Sequence, residues 1–233
     1  QRITQEADRK TSEYSSRAAE ADARITELSQ QMKISEETVN TANSQIETAT
    51  AKTTAYESLI KAVNAYNTLK DDGMQFFAGA VTTGPCLAIA PLTVEDQIFM
   101  MTPSGSSDKI PNSGDNIYQM CFTDPNQGAS AAQLVYDQQM ATTIGIIFDN
   151  SDDYSKGLMQ GFKEKAAEYG MNIAVETSFT SDNKSDLSTQ VTQCKDAGCD
   201  FVFLPFYATE AAQVLTYADK IGYEPVFFGC DGL

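Results

Sequence analysis

Between residues 14 and 63 apolar side chains recur at alternating steps of four and three. They fall on Tyr14, Ala18, Ala21, Ile25, Leu28, Met32, Val39, Ala42, Ile46, Ala49, Tyr56, Ile60 and Val63, and only Ser35 and Thr53 interrupt the row. A straight helix of 3.6 residues per turn drifts off such a row, whereas a 3.5 period held over about seven heptads marks a supercoiled helix that meets other helices. No glycine precedes Gly73 and no proline precedes Pro85. The pattern therefore predicts one unbroken helix over 14–63, about 75 Å long at 1.5 Å per residue and longer than an ordinary domain is wide. One row of the seam is small (Ala21, Ser35, Ala42, Ala49) and the other large (Ile25, Met32, Val39, Ile46). That favours close packing in a homo-oligomer through this helix, with parallel and antiparallel arrangements both open. A solvated single helix or a piece of a bundle is the competing reading.

From Gly73 onward the texture changes to short apolar runs separated by amphipathic stretches. "MQFFAGAV", "QIFMMTP", "IYQMCFTD", "TTIGIIFDN", "MNIAVETSFT", "DFVFLPFYA" and "PVFFGCDGL" read as strands. Helices are expected at "GPCLAIAPLTVED", starting at Pro85, and at "DPNQGASAAQLVYDQQM", with Asp124 as N-cap and Pro125 in first position. Three more close on Gly170, Gly198 and Gly222. Strands that are apolar on both faces and alternate with helices indicate parallel sheets covered on both sides, so the class is α/β, doubly wound.

Composition narrows the function. With 233 residues the chain can bury a substantial core, and a net charge of −16 with no basic cluster argues against nucleic acid and anionic membrane surfaces as partners. No run approaches the length of a membrane span, and no basic-then-apolar signal segment stands at the start. Histidine is absent, which removes the commonest general base and zinc ligand, and neither a phosphate loop nor a metal-spaced cysteine set occurs. No enzyme, no metal and no cofactor are expected. Five cysteines are an odd number spread among strong core signals and do not form a small-secreted disulfide framework, although Cys194 and Cys199, which straddle a helix end in "CKDAGCD", leave a pairing open. The run "DNSDD" has the flavour of a calcium loop without its glycine and distal glutamate, and helix capping is the simpler reading. Asn183 opens a three-residue glycosylation sequon.

In open parallel sheets ligands bind beyond the carboxyl ends of the strands. The residues there are Thr82 and Thr83, then Ser104, Gly105 and Ser106, then Asp149 to Tyr154, then Tyr207, and last Asp231. Hydroxyls and helix N-terminal amides receive a carboxylate, a carboxylate such as Asp231 takes an ammonium, and tyrosine rings cover an apolar part. The inventory suits a zwitterion better than a nucleophile and its base. Competing readings stay beside it: Thr82 and Thr83 as caps of the helix that follows, and Tyr154 and Tyr207 as ordinary surface aromatics.

Several co-linear stretches, "KAVNAYNTLKDDGMQFFAGAVTTGPCLAIAP", "MMTPSGSSDKI", "CFTDPNQG", "IIFDNSDDYSKGLMQGFKEKAAEYG", "FVFLPFYATEAAQVL" and "FFGCDGL", together resemble the type I periplasmic binding proteins. Within them the chain is most similar to the leucine/isoleucine/valine-binding proteins of branched-chain amino-acid ABC transporters, over about residues 61–233. The resemblance implies a two-lobed clamp around one amino acid, outside the cytoplasm, that delivers to an ABC transporter permease. It implies that Thr83, Ser104 and Ser106 hold the ligand carboxylate, that Tyr154 and Tyr207 come from the second lobe, and that Asp231 holds the ammonium. The implied organisation is a long helix over 1–61, a partial first lobe over 62–124 and a second lobe over 125–233. The family's opening strand–helix–strand is replaced here by the rod, and its returning segment after Asp231 is missing, so the first lobe is expected to be incomplete. The rod also admits a sensory ectodomain, or a structural protein that reuses the fold.

Overall fold

The computed structural model describes residues 2–233. Contacts divide the chain into two compact units, residues 1–47 and 48–233. Helix α1 spans Arg2–Asp71 and thus contains the whole predicted helical stretch. In the first unit the seam side chains Ile25, Leu28, Met32 and Val39 are all exposed. Threonine hydroxyls at positions 26, 38 and 41 bond back to the carbonyls four residues earlier, so they are satisfied within the helix.

In the second unit the end of α1 joins a core. Tyr66 is fully buried, sets its ring edge-on to Phe77 at 5.5 Å and donates its hydroxyl to Asp96 at 2.9 Å. Lys70 bonds the same carboxylate at 3.1 Å, and these two donors hold the Asp96 carboxyl below its usual range.

The remaining elements follow the predicted alternation. Strands β1 (Phe76–Ala78), β2 (Phe99–Thr102) and β3 (Ile117–Gln119) form one parallel sheet in sequence order, with helix α2 (Thr83–Glu95) between β1 and β2. Helix α3 (Asp124–Asp137) leads to a second parallel sheet, β4 (Ile144–Asp149), β5 (Ile173–Phe179), β6 (Phe201–Leu204) and β7 (Val226–Gly229), in the order β5-β4-β6-β7. Helices α4 (Asp153–Glu168), α5 (Ser188–Asp196) and α6 (Ala208–Lys220) connect them. The central strands β4 and β6 are buried along almost their whole length, as continuous apolar runs require. One face of this sheet packs Phe162, Phe203 and Leu158, the other Val191, Val202 and Val214.

Two boundaries differ from expectation. Helix α2 begins at Thr83, two residues before Pro85, because the first turn needs no N–H from a proline there. In α3 the N-cap is Thr123, and Asp124 is the first helical residue. Cys194 and Cys199 are free thiols, packed together over Gly145 with the amide of Cys199 bonded to the carbonyl of Cys194. Asn183 is exposed, and its Oδ1 accepts the amide of Thr180 at 2.7 Å.

Helices α3 and α4 approach to backbone contact through glycines. A Cβ on Gly128 would lie 2.1 Å from the Leu158 carbonyl, and one on Gly161 would lie 2.1 Å from that of Pro125. Gly128→Ala must push two helices apart and should cost at least about 1–3 kcal/mol. Gly170→Ala, at φ +65° in open space, should cost about 1 kcal/mol through backbone strain alone. Urea unfolding of both variants checks this ordering; an unchanged midpoint for Gly128→Ala would mean that the helices do not touch.

Candidate ligand-binding site

In the second sheet the strand order reverses between β4 and β6, since β5 lies outside β4 and β7 outside β6. The loops after β4 and β6 diverge at that point and open a crevice at the carboxyl ends. Tyr154 follows the first of these strands and Tyr207 the second. Their rings stack at 4.9 Å between centroids, 20° from parallel, and Tyr154 is 3% exposed. They are therefore not surface aromatics.

All six residues expected at the site line one cavity of about 200 Å³: Thr83, Ser104, Ser106, Tyr154, Tyr207 and Asp231, together with Val81, Thr82 and Gly232. No lysine or arginine is among these lining residues. Thr83 and Ser106 are buried, while Ser104 and Asp231 are exposed.

The two poles of the cavity are built differently. Helix α2 starts at Thr83, and its N-cap residue Thr82 makes no side-chain cap bond, so the first-turn amides keep their positive partial charge for another acceptor. The Thr83 hydroxyl is buried with no hydrogen-bond partner among the described residues. Nearby, Thr102 fixes the loop that carries Ser104 and Ser106: its hydroxyl donates to Ala80 O at 2.9 Å and accepts the Gly105 amide at 2.8 Å. Capping by Thr82 or Thr83, the competing reading of these residues, is not what their hydroxyls do.

At the other pole Asp231 stands two residues beyond β7 and is exposed. Tyr154 donates its hydroxyl to Asp231 Oδ1 at 2.7 Å and accepts the Gly232 amide at 2.9 Å. Burial and the neighbouring Asp231 carboxylate push the Tyr154 phenol well up, so it stays a donor. With its amide oriented so that both groups are bonded, Gln127, one turn into α3, also bonds Asp231; nothing in its sequence position announces this. Asp152 is the N-cap of α4 and accepts the amide of Tyr154, and Asp149 accepts the amide and hydroxyl of Ser151. The acidic run thus organises a helix start. Burial, with Asp149 beside it, raises the Asp152 carboxyl to about 6.

Asp124 is the second residue that its sequence position misrepresents. It is fully buried, with neither carboxylate oxygen bonded among the described residues, and its Cβ sits where any side chain on Gly157 would collide at 2.7 Å. Burial, and then the carboxylates of Asp231, Asp152 and Asp108, push it up to about 7 against the opposing effect of Ser106. An acid raised in the folded state from an ordinary value of 3.8 contributes stability at low pH that is lost as pH climbs through about 7. Asp124→Asn should remove most of that loss, at most about 4 kcal/mol, and raise the melting temperature more at pH 8 than at pH 5. Equal shifts at both pH values would show that Asp124 is not held neutral.

The sequence profile of the periplasmic binding protein family matches residues 58–232. A Leu/Ile/Val-binding protein homologue from Brucella melitensis is 28% identical over 172 residues, 73% of this chain and 46% of that protein. A leucine-, isoleucine-, valine-, threonine- and alanine-binding protein from Pseudomonas aeruginosa is 25% identical over 174 residues, 74% and 46% of the two chains. The crystal structure of a leucine-binding protein from Thermotoga maritima superposes with a TM-score of 0.68 at 27% identity, covering 76% of this chain and 49% of that one. The chain spans about half the length of these relatives. With a matched profile over most of its length and two parallel sheets whose strand ends meet at one cavity, the chain belongs to the periplasmic binding protein family.

Proposed function

We propose that the α/β unit binds a small aliphatic L-amino acid outside the cytoplasm, as the substrate-binding part of an ABC transporter that hands it to a permease. The observation that carries this reading is the pairing of poles in one cavity. A buried, unpartnered Thr83 hydroxyl at an uncapped helix start suits a carboxylate, and the Asp231 carboxylate suits an ammonium. Ser104 and Ser106 complete the carboxylate side, while the stacked Tyr154 and Tyr207 rings cover the apolar part. The lobes that meet here are residues 62–124 and 125–233. Branched-chain ligands are favoured because the Brucella and Pseudomonas relatives are named for leucine, isoleucine and valine.

A second reading concerns α1. Its exposed seam of Ile25, Leu28, Met32 and Val39 favours self-association through the helix. Burying each such side chain is worth about 1.5–3 kcal/mol, enough together to offset the entropy of joining two chains.

Calorimetry of the chain against leucine, isoleucine and valine, with glucose and AMP as controls, tests the first reading; heat from none of the amino acids would overturn it. Asp231→Ala should weaken leucine about 10–100-fold by deleting a charge-assisted bond, and unchanged affinity would remove Asp231 from the site. Sedimentation tests the second: the chain should run as an oligomer that Ile25→Asp with Val39→Asp dissociates, and a monomeric parent would refute it.

A further inference from the structure

We infer that Gln127 is the positioning residue of the ammonium-receiving carboxylate, through a two-point amide clamp between the start of α3 and the loop beyond β7. This rests on the reading of the cavity as an amino-acid site. Gln127 lies half-buried one turn into α3. In the orientation that bonds both of its groups, its Nε2 donates to Asp231 Oδ1 at 2.9 Å and its Oε1 accepts the Asp231 amide at 3.1 Å.

The clamp settles which oxygen a ligand meets. Oδ1 already receives two donors, Gln127 Nε2 and the Tyr154 hydroxyl, whereas Oδ2 has no hydrogen bond among the described residues. A carboxylate with one oxygen accepting hydrogen bonds from two neutral donors presents its other oxygen in a fixed direction. Neutrality of the donors matters: a lysine or arginine in their place would hold Asp231 equally well but would compete with the ligand's ammonium. The backbone half of the clamp adds a second constraint. Gln127 takes the amide of Asp231 and Tyr154 takes that of Gly232, so two successive amides of the loop are held from two different helices. Gly232 fits between because a Cβ there would meet the Tyr154 hydroxyl at 2.8 Å and the Tyr207 ring at 3.0 Å.

The test uses Gln127→Met, which keeps the side-chain volume and removes both bonds, with Gln127→Ala beside it. A positioning role predicts a loss selective for the ammonium. Leucine should bind about tenfold more weakly to either variant, while 4-methylpentanoate, which has the same carboxylate and side chain without the amine, should change less than about threefold. Equal weakening of both ligands, or no weakening in Gln127→Met, would reduce Gln127 to packing. Hydrogen exchange reads the clamp without any ligand. The Asp231 amide should exchange about tenfold faster in Gln127→Met while the amides of β7 keep their rates, and an unchanged Asp231 rate would overturn the clamp. If the parent chain binds neither ligand, the amino-acid reading falls, and the exchange rates still decide whether Gln127 holds Asp231.

Discussion

The close approach of α3 and α4 governs where the chemistry ends up. Helix packing usually leaves 8–10 Å between axes because side chains intervene. At Gly128 and Gly161 there are none, and the helices meet backbone to backbone. Gly157 extends this contact to the first turn of α3, where it makes room for the Asp124 side chain. The consequence is felt at the helix starts. Asp124 and Gln127 lie at the beginning of α3, Asp152 and Tyr154 at the beginning of α4, and the contact fixes the two groups against each other. Asp231, arriving from β7, is met by one residue from each helix.

Charge in this region is arranged by solvation as much as by pairing. Asp231 is exposed and accepts hydrogen bonds from neutral donors, while Asp124 is buried and is pushed toward the neutral form. Were both ionised and buried, their repulsion would add to the desolvation of each. Lys109 pairs with Asp153 and Lys184 with Glu210. No lysine or arginine lines the cavity that Asp231 shares with Tyr154 and Tyr207, in a chain whose net charge is −16.

Much of this was legible because it is local. Apolar runs of four to six residues locate β4 and β6, glycines mark three helix ends, and the parallel class puts Thr83, Ser104, Ser106, Tyr154, Tyr207 and Asp231 beyond the carboxyl ends of their strands. What could not be read depends on distant chain. Gln127 looks like a solvated amide in a first helical turn, and only the return of the chain about a hundred residues later gives it a partner. Asp124 looked like a cap because an acid before a proline usually is one, and a shift of one residue turned it from an exposed cap into a buried acid. Gly128 and Gly161 act through the absence of a side chain, at a contact with residues about thirty positions away in the chain.

Helix α1 shows how one element can change its task along its length. Through the first unit its apolar positions keep the 3.5 spacing of a seam and lie exposed. At Val63 the seam meets a second stripe, because Ala62 and Val63 pack against the buried cluster that holds Tyr66, Ile89 and Met100. Continuing the seam by four and three would require apolar residues at positions 67 and 70, where Asn67 and Lys70 stand. Lys70 instead gives its amine to Asp96, whose carboxylate also accepts the hydroxyl of Tyr66. A heptad row and a core stripe select different residues on the same turns, so the helix cannot serve both at once. The break after Val63 is where the chemical pattern of a self-associating surface gives way to that of an α/β core.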